Sequence, residues 1–371
     1  MPAYSLPDAL VAANGKKVTS AEEWTKERRP DVLELFRANV YGRVPATPYE
    51  QTFAVTKENP AALGGAATLR QVEVRISRGE KSLVIHVNLF VPNRAPQKAP
   101  AFLLICNRGA ENIDATRATK SEFWQVEEGI ARGYAMAAFL NADVDPDKHD
   151  EFKNGIHGVL DVEPRADDSW GTIAAWAWGA SRVLDYLQTV PEIAGDKVAV
   201  IGHSRGGKTA LWVGAEDTRF AMAISNDSGC GGASLSRRRF EGKEQVARIV
   251  KSFPHWFCTK FSTFANREDE LPIDQHELIA LMAPRAVAVG SAREDLWADP
   301  RGEFLSVTHA APVFALFGKQ ALGGKEMPAI GDAIHGDAVH YHLRAGKHNL
   351  LVEDWKHYFD FADRTYQYGI K

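Results

Sequence analysis

Cysteine is scarce. The 371 residues include three, Cys106, Cys230 and Cys258, none in C-x-x-C spacing, so at most one disulfide can form and neither a disulfide framework nor a zinc ribbon is supported. Charge of one sign is also lacking: 44 Lys and Arg stand against 48 Asp and Glu, a formal net charge of −4. Without a basic field there is no general attraction for nucleic acid or an anionic membrane. No apolar run reaches the length of about 18 residues needed to span a bilayer, and the first residues, Met1-Pro2-Ala3-Tyr4-Ser5-Leu6, lack the basic segment and apolar core of a secretory leader. Internal repeats and low-complexity tracts are missing too. What is present is an ordinary globular composition, 45% hydrophobic and 25% charged, enough for a single domain over residues 1–371 with no second one required.

Runs rich in Val, Ile, Phe and Leu, separated by turn residues, predict strands at 68–77, 81–92, 101–107, 135–140, 198–202, 221–226, 286–291 and 338–344. The first two flank Arg78-Gly79-Glu80 and read as an antiparallel hairpin; the later ones carry the helix-length spacers that parallel strands require. The expectation is a three-layer α/β/α sandwich with a mostly parallel sheet of eight or more strands, in the order of the α/β-hydrolase fold. A helix is predicted over 171–190, with Ile173, Trp176, Ala177, Ala180, Val183, Leu184 and Leu187 on one buried face, and another around Trp355, Tyr358, Phe359 and Ala362. The polar, Asp-rich stretch 141–168 lies between core elements and reads as an insertion at the active-site mouth.

The chemistry starts where the strand Lys197-Val198-Ala199-Val200-Ile201 runs into Gly202-His203-Ser204-Arg205-Gly206-Gly207-Lys208 and then a helical stretch. G-x-S-x-G between strand and helix is a nucleophile elbow, whose glycines let the chain turn sharply enough to present the Ser204 hydroxyl. In this fold the acid and then the histidine follow the serine. His348, after the last strand, is the expected general base. Two acids compete for the third place, Asp227 at the end of the sixth predicted strand and Asp295 after the seventh, and position alone divides them evenly. His340 and His342 share a strand face, but no carboxylate or Cys at ligand spacing accompanies them, so packing is expected rather than a metal. Arg205 and Lys208 place two cations within a helical turn of the nucleophile, which suits an anionic or polyhydroxylated substrate and not an acyl chain. The Arg205 amide is a natural oxyanion donor, its guanidinium can add a charged one, and a second amide is expected from 107–110.

This elbow resembles the G-x-S-R-x-G-K motif of the glucuronoyl esterases, carbohydrate esterase family fifteen, and especially their bacterial members. Similar stretches are Ser225-Asn226-Asp227-Ser228-Gly229, Ser252-Phe253-Pro254-His255-Trp256-Phe257, Leu271-Pro272-Ile273-Asp274-Gln275-His276, Glu294-Asp295-Leu296-Trp297 and Arg344-Ala345-Gly346-Lys347-His348. The resemblance covers most of the chain. It implies hydrolysis of the ester between 4-O-methyl-glucuronic acid on xylan and a lignin alcohol, with no metal or organic cofactor, by a secreted or periplasmic enzyme, expected to be a monomer. Carried over, Ser204 is the nucleophile, His348 the base, and Arg205 the oxyanion-stabilising arginine. Lys208 holds sugar hydroxyls, Trp297 lies against the sugar ring, and Gln245 matches a sugar-binding glutamine. Asp227 stands where fungal members have a triad glutamate, and Asp295 at the position some bacterial relatives use. Fungal members carry a cysteine pair where this chain has His203 and Asn349. Competing readings are an acetyl-xylan or cinnamoyl esterase with the same triad, and a catalytically silent carbohydrate-binding relative.

Overall fold

Strand Ala99–Cys106 is buried at every position, as a parallel strand covered on both faces must be, and it lies near the middle of the sheet that organises the molecule. The computed structural model of the chain describes residues 3–95, 97–320, 322 and 326–368. Among them ten strands form one sheet: β1 (Glu50–Ala61), β2 (Ala67–Arg78), β3 (Lys81–Pro92), β4 (Ala99–Cys106), β5 (Ala135–Leu140), β6 (Ile193–His203), β7 (Met222–Asn226), β8 (Ala286–Ala292), β9 (Ala333–His335) and β10 (Val339–Arg344). Their order is β1-β2-β3-β5-β4-β6-β7-β8-β10-β9. The run from β5 to β10 is parallel, β1 to β3 extend it antiparallel at one edge, and β9 caps the other.

Side chains alternate along β6, so Val198 and Val200 join one apolar cluster while Ala199 and Ile201 join the other. The first cluster is covered by the helices Thr172–Leu187 and Arg205–Glu216, the second by Val352–Tyr366. This is the predicted α/β-hydrolase layering. The last helix buries Trp355, Tyr358, Phe359 and Ala362 as expected, each large side chain contributing about 1.5–3 kcal/mol.

The structure departs from the sequence reading at three places. Strands β1 and β9 were not predicted: β1 is exposed at all but Gln51 and is held by backbone pairing to β2, so it carries no apolar run, and β9 is three residues long. The helix Thr172–Leu187 has not one buried face but burial nearly all round, with only Arg182 and Asp185 escaping. The segment 141–168 is less polar than it reads, since Val144, Ile156, His157, Val159 and Leu160 are buried. All three cysteines are buried and free, so Cys230 and Cys258 are not joined. Among the described residues no helix is long and apolar enough to cross a membrane.

Asp145 ties the 141–168 segment to the core. Its Oδ2 accepts from Thr172 Oγ1 at 2.7 Å and its carbonyl from Trp176 Nε1 at 2.8 Å, while Oδ1 is buried with no hydrogen-bond partner among the described residues. Burial pushes this carboxyl up from 3.8 to about 8, against the opposing Thr172 bond. An acid whose folded pKa is raised stabilises the fold while protonated, and that contribution fades as pH climbs toward about 8. Asp145→Asn should therefore gain in melting temperature relative to the native chain as pH rises from about 5 to about 8, and parallel pH profiles of the two proteins would contradict this.

Candidate active site

Ser204 joins β6 to the helix Arg205–Glu216 with φ 56° and ψ −124°, a backbone region that side chains rarely occupy and that costs roughly 1–3 kcal/mol. The turn is tight enough that a Cβ on Gly202 would fall on the Gly206 carbonyl. Hydrogen bonds hold it: Ser204 N donates to Asn226 O at 2.8 Å, and Ser204 O accepts from Gly207 N at 2.9 Å and Lys208 N at 3.1 Å. The loop after β4 closes against the first helical turn, for a Cβ on Gly206 would lie 3.1 Å from Ile105 O and 3.5 Å from Asn107 Oδ1.

His348 Nδ1 lies 2.5 Å from Asp295 Oδ2, which commits Nδ1 and leaves Nε2 for another partner. The imidazole packs on His203, the residue before Ser204, with ring centroids 4.4 Å apart. His203 is fixed in turn by Asn226 Oδ1 at 2.7 Å from its Nδ1, and burial, then the neighbouring His348, lower its pKa well below the usual histidine value. The loop carrying Asp295 is stitched to the loop carrying His348: Arg293 N donates to Arg344 O at 2.9 Å and Glu294 N to Gly346 O at 3.0 Å. Glu294 itself is exposed.

The two acids that the sequence left even are thus separated. One oxygen or nitrogen from each of Asp227, Asp295 and His348 falls within 4.8 Å of the others, yet Asp227 bonds elsewhere. Its Oδ1 accepts from Ala292 N at 2.6 Å, and its Oδ2 from Arg344 Nη2 at 3.0 Å and from Asn349 N at 3.3 Å. Arg344 also donates from Nε to Asp354 Oδ2 at 2.8 Å. Asp227 therefore braces the start of the segment after His348 rather than the imidazole. The His203 ring contacts His348, and Arg108 Nη2 donates a 2.7 Å bond to Asn349 Oδ1.

Lys208 is buried and paired. Its Nζ donates to Ser228 O at 2.5 Å and Glu244 Oε2 at 2.8 Å, and lies 5.8 Å from the Trp256 ring centre. Glu244, a residue sequence reasoning missed, also accepts from Cys230 N at 3.0 Å, and its own amide bonds Trp297 O at 2.9 Å. Trp297 is half-buried with the Arg248 guanidinium 4.2 Å above its ring. Gln245 sits before the helix Val246–Ser252, and its Nε2 is spent on Phe240 O at 2.7 Å. Arg205 pairs with Asp147 and rests 4.9 Å from the Trp256 ring centre. Nothing in spacing pointed to Glu244 or Asp147, which reach the elbow from sequence-distant loops.

His340 and His342 require a correction. The fold does bring a carboxylate to them, His342 Nε2 lying 2.9 Å from Asp354 Oδ1, and His357 joins the group. His340 Nε2 is 3.2 Å from His342 Nδ1, a hydrogen-bonded chain ending on Asp354. The His342 and His357 rings stack with centroids 4.4 Å apart at 19°, and one ring nitrogen from each of His340, His342 and His357 lies within 4.8 Å of the others.

A family model described as glucuronyl esterase, fungi, matches residues 74–318. The chain belongs to the glucuronoyl esterases. A glucuronoyl esterase structure from Solibacter usitatus superimposes with a TM-score of 0.92 at 38% identity, covering 98% of this chain and 99% of that one. Carbohydrate esterase MZ0003 of an unknown prokaryotic organism is 43% identical over 98% of this chain and 90% of its own length. The 4-O-methyl-glucuronoyl methylesterase 1 of Wolfiporia cocos is 32% identical over 86% of this chain and 74% of its own length. This glucuronoyl esterase is accordingly a carboxylic ester hydrolase of the family's bacterial branch. In it, Asp295→Asn should lower kcat by roughly 10⁴-fold, while Asp227→Asn should keep kcat within about tenfold and appear instead as ~1–3 kcal/mol of lost stability. Steady-state kinetics with denaturant unfolding of both variants decides, and the reverse ranking of kcat would move the role to Asp227.

Proposed function

We propose that the esterase cleaves the bond between the 6-carboxyl of 4-O-methyl-D-glucuronic acid on glucuronoxylan and a lignin alcohol, through a uronoyl-Ser204 intermediate. The carrying observation is the 2.5 Å bond between His348 Nδ1 and Asp295 Oδ2 in an imidazole packed against the residue before Ser204. A carboxylate on Nδ1 keeps the proton there and makes Nε2 the base. Ser204 Oγ attacks the uronoyl carbon while its proton passes to His348 Nε2, and the carbonyl π pair moves onto oxygen. The oxyanion is met by the Arg205 amide, an amide from 107–110, and the Arg205 guanidinium. Collapse breaks the carbon–oxygen bond to the alcohol, which takes the proton from Nε2. Water then repeats the sequence and releases the uronate.

Substrate choice follows from the cations and the platform. The Lys208 ammonium has three protons, two of which Ser228 and Glu244 take, leaving the third for a sugar hydroxyl. Trp297 has Arg248 on one face, and its other face suits a sugar ring. Gln245, with Nε2 engaged, retains its side-chain carbonyl as an acceptor. The names of the fungal relatives, 4-O-methyl-glucuronoyl methylesterases, support a uronate ester; the lignin alcohol and a site of action outside the cytoplasm rest on the family resemblance.

Ser204→Ala should lower kcat on the methyl ester of glucuronic acid by on the order of 10⁴-fold or more. Lys208→Ala should reduce kcat/KM for that ester far more than for p-nitrophenyl acetate, a ratio independent of the fraction of folded enzyme. Equal losses on the two esters, or a native preference for the acetate, would contradict the uronate assignment.

A further inference from the structure

Arg205 is held from outside its own helix. The chain leaving the short helix Asn141–Val144 brings Asp147 over the elbow, where its Oδ2 pairs with Arg205 Nη1. The other oxygen accepts from Trp256 Nε1 at 2.8 Å and His255 Nε2 at 3.0 Å. Burial works to raise this carboxyl, but the His255 bond, the Arg205 charge and the Trp256 bond outweigh it and hold it at about 2. Beneath, Phe253 and Trp256 stack at 3.8 Å and 2°, and the guanidinium lies 5.7 Å and 4.9 Å from their ring centres. Arg205 Nε is buried and has no acceptor among the described residues. The guanidinium is thus anchored at Nη1, while 30% of the Arg205 side chain stays exposed and open to a ligand.

We propose that Asp147 is a positioning residue that holds the Arg205 guanidinium for the developing oxyanion and, by offsetting its charge, lets the uronate product leave. The proposal rests on the reading of Arg205 as an oxyanion donor given above. Two physical consequences follow. An arginine pinned at Nη1 on an aromatic platform cannot swing away, which matters because electrostatic stabilisation of a transition state depends on donors already in place. Hydrolysis also converts a neutral ester into a carboxylate. An unpaired Arg205 would grip that carboxylate more tightly than the ester and slow its release, whereas the fixed charge of Asp147 disfavours a second anion beside it.

The test is a kinetic double-mutant cycle with Asp147→Asn, Arg205→Ala and the pair, on the methyl ester of glucuronic acid, with glucuronate as added inhibitor. Asp147→Asn should lower kcat at least about tenfold, change KM much less, and strengthen glucuronate inhibition by about the same factor, a pattern loss of fold does not produce. Asp147→Glu should recover part of kcat. In the Arg205→Ala background Asp147→Asn should have no further effect on kcat or on inhibition. Independent, multiplying losses, or unchanged inhibition by glucuronate, would overturn the proposal. If Arg205→Ala alone left kcat intact, the reading of Arg205 would fail instead, which separates the two. Should Asp147→Asn fail to fold, His255→Gln loosens the same carboxylate away from the elbow; it should show the same shifts to a lesser degree, and native kinetics in that variant would equally overturn the proposal.

Discussion

The backbone of Ser204 is in a conformation that no isolated chain would keep, and the surrounding structure exists in part to hold it there. At φ 56° and ψ −124° the residue turns a buried strand into a helix within one peptide. This is possible because Gly202 leaves room for the Gly206 carbonyl and because Asn226 O receives the Ser204 amide at 2.8 Å. The same Asn226 fixes the His203 ring, and that ring is the surface against which His348 packs. Strain at Ser204 and placement of the His348 imidazole are therefore maintained by one neighbouring strand end, that of β7.

Around that turn, charge is used for holding more than for display. Arg344 is fully buried between Asp227 and Asp354, and the Asp227 carboxyl is driven well up by burial and by Glu303. Isolated buried ion pairs often stabilise little, but removing one member strands the rest, so the network specifies a geometry more than it adds stability. Here the geometry is that of two loops, 293–295 and 344–349, whose joint product is the contact between Asp295 and His348. Lys208 with Glu244 and Arg205 with Asp147 repeat the pattern beside the elbow, each cation partnered by a carboxylate from a distant loop.

Much of this was legible in the chain because the central strands are apolar runs and because the elbow is a local motif. The parallel strands, the hairpin and the C-terminal helix follow from periodicity alone. β1 was not legible, since its side chains are mostly exposed and it is placed chiefly by backbone pairing with β2. The different partners of Asp227 and Asp295 were not legible either. Both end adjacent strands, and what separates them is the hand-off of Asp227 to Arg344, a partner 117 residues away. Glu244 and Asp147 were missed for the same reason, and the burial of Lys208 and its pairing with Glu244 were not legible either. Asp354 reaches His342 because a strand and a helix are packed together, not because their spacing in sequence suits a ligand set.

The central claim is that the strained serine is the nucleophile and that His348 activates it. A fluorophosphonate, from which a serine alkoxide displaces fluoride to leave a stable phosphonyl ester, tests this directly. Peptide mapping by mass spectrometry should find one adduct per chain, on the peptide containing Ser204, formed in step with loss of activity and much more slowly in His348→Ala. Inactivation with the label elsewhere, or labelling of Ser204 at an unchanged rate without the imidazole, would contradict the account.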